Sequence, residues 1–266
     1  MLLHYKNQAC PALAELLRED PITWSVLLKI LQDTCCDILT DHRNVVVCYS
    51  NPPYPVWVWC RDAENSGAVM EIAHCLKEQL PLDSVRCCIM PEALAQKLRD
   101  ADPYFRDTKP GMGLLSYRLD RILPLKHSCD GEMGLVKEGE IPSLLDVWHD
   151  MHMEMEGMDQ TPEHCLATIT RMVEKKSLFA WRTEAGIVAL TGRGDQEKYS
   201  KITSVYTLPE HRRKGYAINL VHGVTEGILA EGLIPILYTD AAYGASNDCY
   251  RKIGYEQVGS LVSIQK

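Results

Sequence analysis

Residues 204–221, SVYTLPEHRRKGYAINLV, set a β-branched run, a proline, a cluster of basic residues and a glycine directly before the clearest amphipathic stretch of the chain. The run predicts a strand that ends at Thr207. Pro209 has no amide hydrogen to give to a ladder, so regular pairing stops there. From Gly215 to Glu231, Ile218, Val221, Val224, Ile228 and Leu229 fall on one helical face, and Gly232 is a natural stop. A helix that opens straight after a strand leaves its first amides without intrahelical partners. Its dipole adds partial positive charge at the same end, so the junction can bind an anion such as a pyrophosphate. Gly215 has no Cβ to hold the anion off, Ala217 nearly as little, and Arg212, Arg213 and Lys214 add charge-assisted donors. The pattern Arg-x-x-Gly-x-Ala alone is common by chance; its place between a strand and a helix gives it meaning.

The other periodicities predict a mixed α/β chain. In the first half, Ala12–Arg18, Ile22–Leu31, Met70–Leu80 and Pro91–Leu98 read as helices. Asn44–Tyr49, Val56–Cys60, Val85–Met90 and Gly113–Leu119 read as strands. NPPYP at 51–55 is a turn, Asn65–Gly67 a break, and 101–112 a loop rich in breakers. A boundary is expected between about 120 and 132, giving domains 1–125 and 126–266. After it comes a strand at Met133–Lys137. A helix opens at Ile141-Pro142 with Leu144, Leu145, Trp148, Met151 and Met155 on one side. A second opens at Thr161-Pro162 with threonine as cap and proline in the first turn, and runs to about Lys175. Leu178–Arg182, Ile187–Thr191, Ile202–Thr207, Ile234–Thr239 and Glu256–Ile264 read as strands, and Ser246–Ile253 as a short helix.

The net charge of −8 argues against a general nucleic-acid binder, which needs a basic face. The opening MLLHYKNQAC lacks the apolar core of a signal peptide, and no stretch is long and apolar enough to span a bilayer. A cytoplasmic protein is expected, without membrane or nucleic-acid partners, with a homodimer left open. The 11 cysteines show no CxxC spacing and read as reduced thiols rather than as a zinc site or a disulfide framework. His149 and His152 share a helix face, but no third ligand is evident, so no metal is expected.

A second motif follows the strand at 234–239: TDAAYGASNDCYRKIGYEQVG, residues 239–259. Together the two motifs resemble the GNAT superfamily of acyl-CoA-dependent N-acyltransferases. Arg212, Gly215 and Ala217 match its (Gln/Arg)-x-x-Gly-x-(Gly/Ala) signature. Asp240, Ser246, Asn247, Tyr250, Lys252, Gly254 and Tyr255 match its second landmark. The resemblance covers roughly the C-terminal half. It implies a GNAT fold there, an α/β (α+β) domain with a mixed, mostly antiparallel sheet and splayed central strands. The layout of the whole chain resembles the glycine N-acyltransferase-like branch, in which a smaller, diverged GNAT-like half precedes the catalytic one.

By the same resemblance, the backbone of Val205, Tyr206 and Thr207 pairs with the pantetheine arm of acetyl-CoA or another acyl-CoA. The amides of Arg213–Ile218, with Arg212, Arg213, Lys214, Gly215, Tyr216, Ala217 and Ile218 around them, take the pyrophosphate. Tyr250 stands where the family places a general acid near the thioester sulfur, and Thr207 or a neighbour polarises the carbonyl. Two positions depart from the pattern. Tyr238 stands where some members have a glutamate base, twelve positions before Tyr250, and Tyr243 where many have a cofactor-binding asparagine, seven before it. Asn247 or Tyr243 itself could replace that asparagine. Asp240 is the nearest carboxylate for a catalytic role, although it also suits a loop cap; His211 and His222 are weaker candidates. The Met-rich helix that opens at Ile141-Pro142 is expected to line the acceptor pocket, with His149, His152, Glu154 or Glu156 contacting an amine. The implied reaction is direct attack of a primary amine of a small molecule or amino acid on the acetyl thioester. A longer-chain amino acid N-acyltransferase, or a non-catalytic coenzyme A-binding module, remains open.

Overall fold

The computed structural model describes residues 2–50 and 54–266, without the side chains of Asp83 and Glu156. The turn expected at 51–55 therefore lies partly, at 51–53, outside the described residues. The chain divides into two compact units. The first holds Met1–Ser116, Thr239–Gly244 and Gln257–Lys266; the second holds Tyr117–Tyr238 and Ala245–Glu256.

In the first unit the strands are β1 (Leu3–Lys6), β2 (Asp37–Thr40), β3 (Val45–Tyr49), β4 (Val56–Cys60), β5 (Cys88–Met90), β6 (Lys109–Arg118) and β12 (Glu256–Gln265). Their order is β1-β2-β3-β4-β5-β12-β6. The helices are α1 (Ser25–Ile30), α2 (Ser66–His74) and α3 (Glu92–Ala101). Val45, Val47, Val56 and Val58 pack on Ile72, Leu76, Leu94 and Leu98 in one buried core.

Several local expectations for this unit need correction. The strand β4 ends before Asn65–Gly67 as expected, but the helix expected from Met70 opens already at Ser66, because the Asn65 side chain accepts the Ala68 amide as an N-cap. The helix expected at 22–31 begins only at Ser25. The edge strand β1 and its neighbour β2 were not expected; each is only four residues long, and β1 is mostly exposed, too short for its Leu3/Tyr5 alternation to stand out as a period. Lys109–Met112 is the beginning of β6 rather than a loop. There Gly111 lies so close to Ser263 that a Cβ would stand 2.4 Å from its hydroxyl, a packing choice that no local pattern announces.

The second unit has β7 (Glu132–Leu135), α4 (Ile141–Glu156), α5 (Pro162–Glu174), β8 (Leu178–Thr183), β9 (Gly186–Gln196), β10 (Tyr199–Thr207), α6 (Tyr216–Ala230), β11 (Ile234–Asp240) and α7 (Gly244–Ile253). The strands run β11-β10-β9-β8-β7, antiparallel except for the β10–β11 pair. The mixed, mostly antiparallel sheet is as expected. Thr161 caps α5 by accepting the His164 amide. Leu144, Trp148 and Met151 of α4 are buried with Leu178, Leu190 and Tyr206. Met155, placed on the same side by spacing, is instead 43% exposed at the last turn of α4. The polar residues 192–196 extend β9 beyond its apolar run because they pair with Tyr199–Thr203.

Candidate functional site

The site grows from the end of β10. Its parallel ladder with β11 runs from Tyr199↔Ile234 to Ile202↔Leu237 and stops. Its antiparallel ladder with β9 continues through a bulge to Tyr206↔Leu190 and Thr207↔Ala189. Ser204, with φ of 53°, forms the bulge. The Leu208 amide donates to Val188 at 3.0 Å. Hydrogen-bonded pairs alternate along an antiparallel ladder, so Thr207 is the residue whose amide and carbonyl point away from β9. The strands are splayed at this point, and the Thr207 amide has no acceptor among the described residues.

Beyond Thr207 the chain makes a single turn at Pro209–His211 and then enters α6. Arg213 and Gly215 both have positive φ, 64° and 90°. Such alternation brings successive amides to bear on one point, a concavity suited to an anion. Among the described residues, none of the backbone amides of Arg213–Ile218 has an acceptor. The α6 N-terminus thus presents a row of free donors, with Arg213 and Lys214 exposed beside it. The junction is buttressed from behind. Tyr216 is buried and its hydroxyl donates to Asp130 at 2.9 Å, while the Trp181 indole donates to the Asp130 carbonyl at 2.8 Å. Cys129 lies against Gly215, and burial raises its thiol above the ordinary range. Asp130 and Cys129 carry no motif, and only the folded loop reveals them.

Arg212 does not join Arg213 and Lys214. Its Nε donates to the Thr207 carbonyl at 3.0 Å and its Nη2 to Glu154 of α4 at 2.6 Å. The guanidinium lies over the Tyr206 ring, 5.4 Å from its centre. The Tyr206 hydroxyl donates to the same Glu154 carboxylate at 3.3 Å. The Arg212 hydrogen bond is the main influence that holds Glu154 below the usual carboxylate range.

Tyr250 lies on the buried face of α7, its ring 6.4 Å from that of Tyr117 and 6.2 Å from that of Tyr255. Its hydroxyl bonds no group among the described residues. Desolvation pushes the phenol well above its ordinary value, with smaller contributions from Cys249 and Tyr255. It is therefore protonated at neutral pH and able to donate. Asn247 is buried, and its Oδ1 accepts the Tyr117 hydroxyl at 3.4 Å. Lys201 sits over the Tyr238 ring, 5.2 Å from its centre.

Asp240 and Tyr243 fall in the segment that clusters with the first unit. There Asp240 Oδ1 accepts the Ala242 amide at 2.9 Å, a loop cap, and Tyr243 is 49% exposed. Among the histidines, His149 is clasped by Asp159 and Asp150 at 3.1 and 3.3 Å. His222 donates to the Leu123 carbonyl at 3.1 Å or pairs with Glu226. No group of residues suited to holding a metal ion occurs among the described residues. A separate open cleft of about 610 Å³ lies between the β8–β9 turn and the α6 N-terminus. Asp130, Glu132 and Glu184 line it beside Arg182 and Lys214, while Thr207 and Tyr250 do not. It is thus not the place where the splayed strand opens.

The strand order, the bulged and splayed β10, and the glycine-led α6 together define a known architecture. The chain has the GNAT fold. A crystal structure of a GCN5-related N-acetyltransferase from Sphaerobacter thermophilus superposes with TM-score 0.71 at 14% identity, over 100% of this chain and 95% of that one. A GNAT-family acetyltransferase from Colwellia psychrerythraea gives TM-score 0.63 at 12% identity over 98% of each. A Drosophila protein gives 0.67 at 12% identity, over 99% of this chain and 97% of its own. The family model described as FR47-like protein matches residues 178–262, a span that includes the β10–α6 turn and residues 239–259 of the second sequence motif. No curated protein sequence matches the chain. No helix among the described residues is long and apolar enough to cross a membrane.

Proposed function

We propose that this protein is an N-acyltransferase that moves an acetyl group from acetyl-CoA to a primary amine of a small molecule or amino acid. The observation that carries the reading is the pairing of two sets of free donors on one continuous stretch of chain. The Thr207 amide faces away from β9 where the β11 ladder has stopped, and the amides of Arg213–Ile218 have no protein acceptor. The first set suits an extended amide-bearing arm laid along β10. The second suits a pyrophosphate.

The cosubstrate supplies an activated carbonyl, and the chain's residues position and polarise it. Preorganised amides stabilise negative charge as it develops on a carbonyl oxygen without reorganising in the reaction, which is the role of Thr207. Tyr250, protonated and without an internal partner, is the acid for the departing sulfur. A longer acyl donor, or coenzyme A binding without turnover, would use the same donors. Calorimetry and thermal shifts with acetyl-CoA, longer acyl-CoAs and free coenzyme A, followed by an amine panel, separate the three. Tyr250→Phe is expected to lower kcat by about 10²- to 10⁴-fold with acetyl-CoA affinity unchanged. Stabilisation by none of the thioesters would sink the reading; an unaltered kcat would remove Tyr250 from it.

A further inference from the structure

We infer that Arg212 is shared between Glu154 and the pyrophosphate of the acyl donor, so that donor binding uncovers Glu154 as the base that deprotonates the acceptor ammonium. The inference rests on the acyltransferase reading and assigns the base that reading leaves open.

One guanidinium bridges Glu154 and the Thr207 carbonyl, at 2.6 and 3.0 Å. The carboxylate therefore sits one guanidinium's width from the backbone that the donor would occupy. Tyr206 completes the clasp, its hydroxyl on Glu154 and its ring under Arg212. Glu154 projects from the last turns of α4, where Met153 and Met155 are exposed beside it. Arg212 itself stands at the entrance of α6, one residue before the free amides.

The clasp is weak enough to open. The side chains of Arg212 and Glu154 are 39% and 40% exposed, and ion pairs with that access to water contribute little. A pyrophosphate on the α6 amides offers the guanidinium a more highly charged, bidentate partner. Once Arg212 turns to it, Glu154 loses the main contact that favours its ionised form and becomes the better base. Glu154 then takes one proton from the ammonium. The freed nitrogen pair forms the C–N bond as the C–S bond breaks. Tyr250 gives its proton to the sulfur and recovers the nitrogen's second proton, while Glu154 returns its own to water. The exchange imposes an order, donor before acceptor.

The test is acetyl-CoA affinity by calorimetry at low salt in wild type, Glu154→Gln, Arg212→Gln and the double variant. Glu154→Gln releases Arg212 and is expected to bind acetyl-CoA roughly two- to fivefold more tightly, although turnover on the amine found in the panel falls by about 100-fold or more. Arg212→Gln is expected to bind more weakly, and in its background Glu154→Gln should have no effect. An unchanged or weakened affinity in Glu154→Gln, or a gain that persists without Arg212, overturns the exchange. Full turnover in Glu154→Gln removes it as the base. Failure of the wild type to bind acetyl-CoA, by contrast, defeats the acyltransferase reading itself.

Discussion

Gly215 is where backbone strain meets the proposed pyrophosphate site. It caps α6 with φ 90° and ψ 1°, a conformation that costs an L-residue about 1–2 kcal/mol. A Cβ built there would meet the Asn219 side-chain nitrogen at 3.6 Å and the Cys129 Cβ at 4.0 Å, both ordinary contacts. Substitution by alanine therefore carries no steric cost, and only the dihedral matters. Alanine also restricts the unfolded chain, which returns about 0.4–1 kcal/mol. The net destabilisation expected for Gly215→Ala is therefore about 0–1.6 kcal/mol. Gly215→Asn should cost less, because asparagine tolerates positive φ, and Gly215→Val more, because its branched Cβ does not. Urea unfolding should rank the variants Gly, Asn, Ala, Val. Acetyl-CoA affinity should fall in Ala and Val together with stability, since the amides of Arg213–Ile218 converge only while that dihedral holds. An Ala variant more stable than the wild type, or more stable than Asn, would refute the argument.

Two further outcomes follow from other buried or paired groups. Thr225 donates to the Val221 carbonyl at 2.7 Å, so at its 2.8 Å contact with Tyr255 the tyrosine must be the donor. Thr225→Val should then cost about 1–3 kcal/mol by stranding a buried hydroxyl, Tyr255→Phe only about 1 kcal/mol, and the double variant no more than Thr225→Val alone; a costlier Tyr255→Phe in urea titrations would reverse the donor assignment. Glu140 accepts two hydrogen bonds from Arg182 at 2.9 and 2.6 Å, and that contact is the leading cause of its lowered pKa. A depressed carboxyl contributes stability above its unfolded value of 4.5 and loses it as pH falls through the folded one. The gap in urea midpoint between wild type and Glu140→Gln should accordingly be open at neutral pH and close under acid, and a gap that persists at low pH would contradict this.

Much of the second unit could be read from residue order. Its order of strands and helices from 133 onward follows from periodicity, and the GNAT fold from Arg212, Gly215 and Ala217 with the motif around Tyr250. These signals are local: a proline ends a strand, a glycine opens a helix, and an apolar face repeats every turn. The first unit was harder to read because its decisive features are not local. β1 is an exposed edge strand, and the start of β6 depends on Gly111 meeting Ser263, which is far away in sequence.

The sequence by itself determined that a helix opening on free amides and basic side chains follows a strand, because both depend on residues adjacent in the chain. Only the tertiary structure decided what its charges do. Arg212 is one of three basic residues in a row, yet folding turns it from the helix end to Glu154, which lies on a different helix. A side chain's partner is set by which surfaces packing brings within a few ångströms, and no spacing along the chain encodes that.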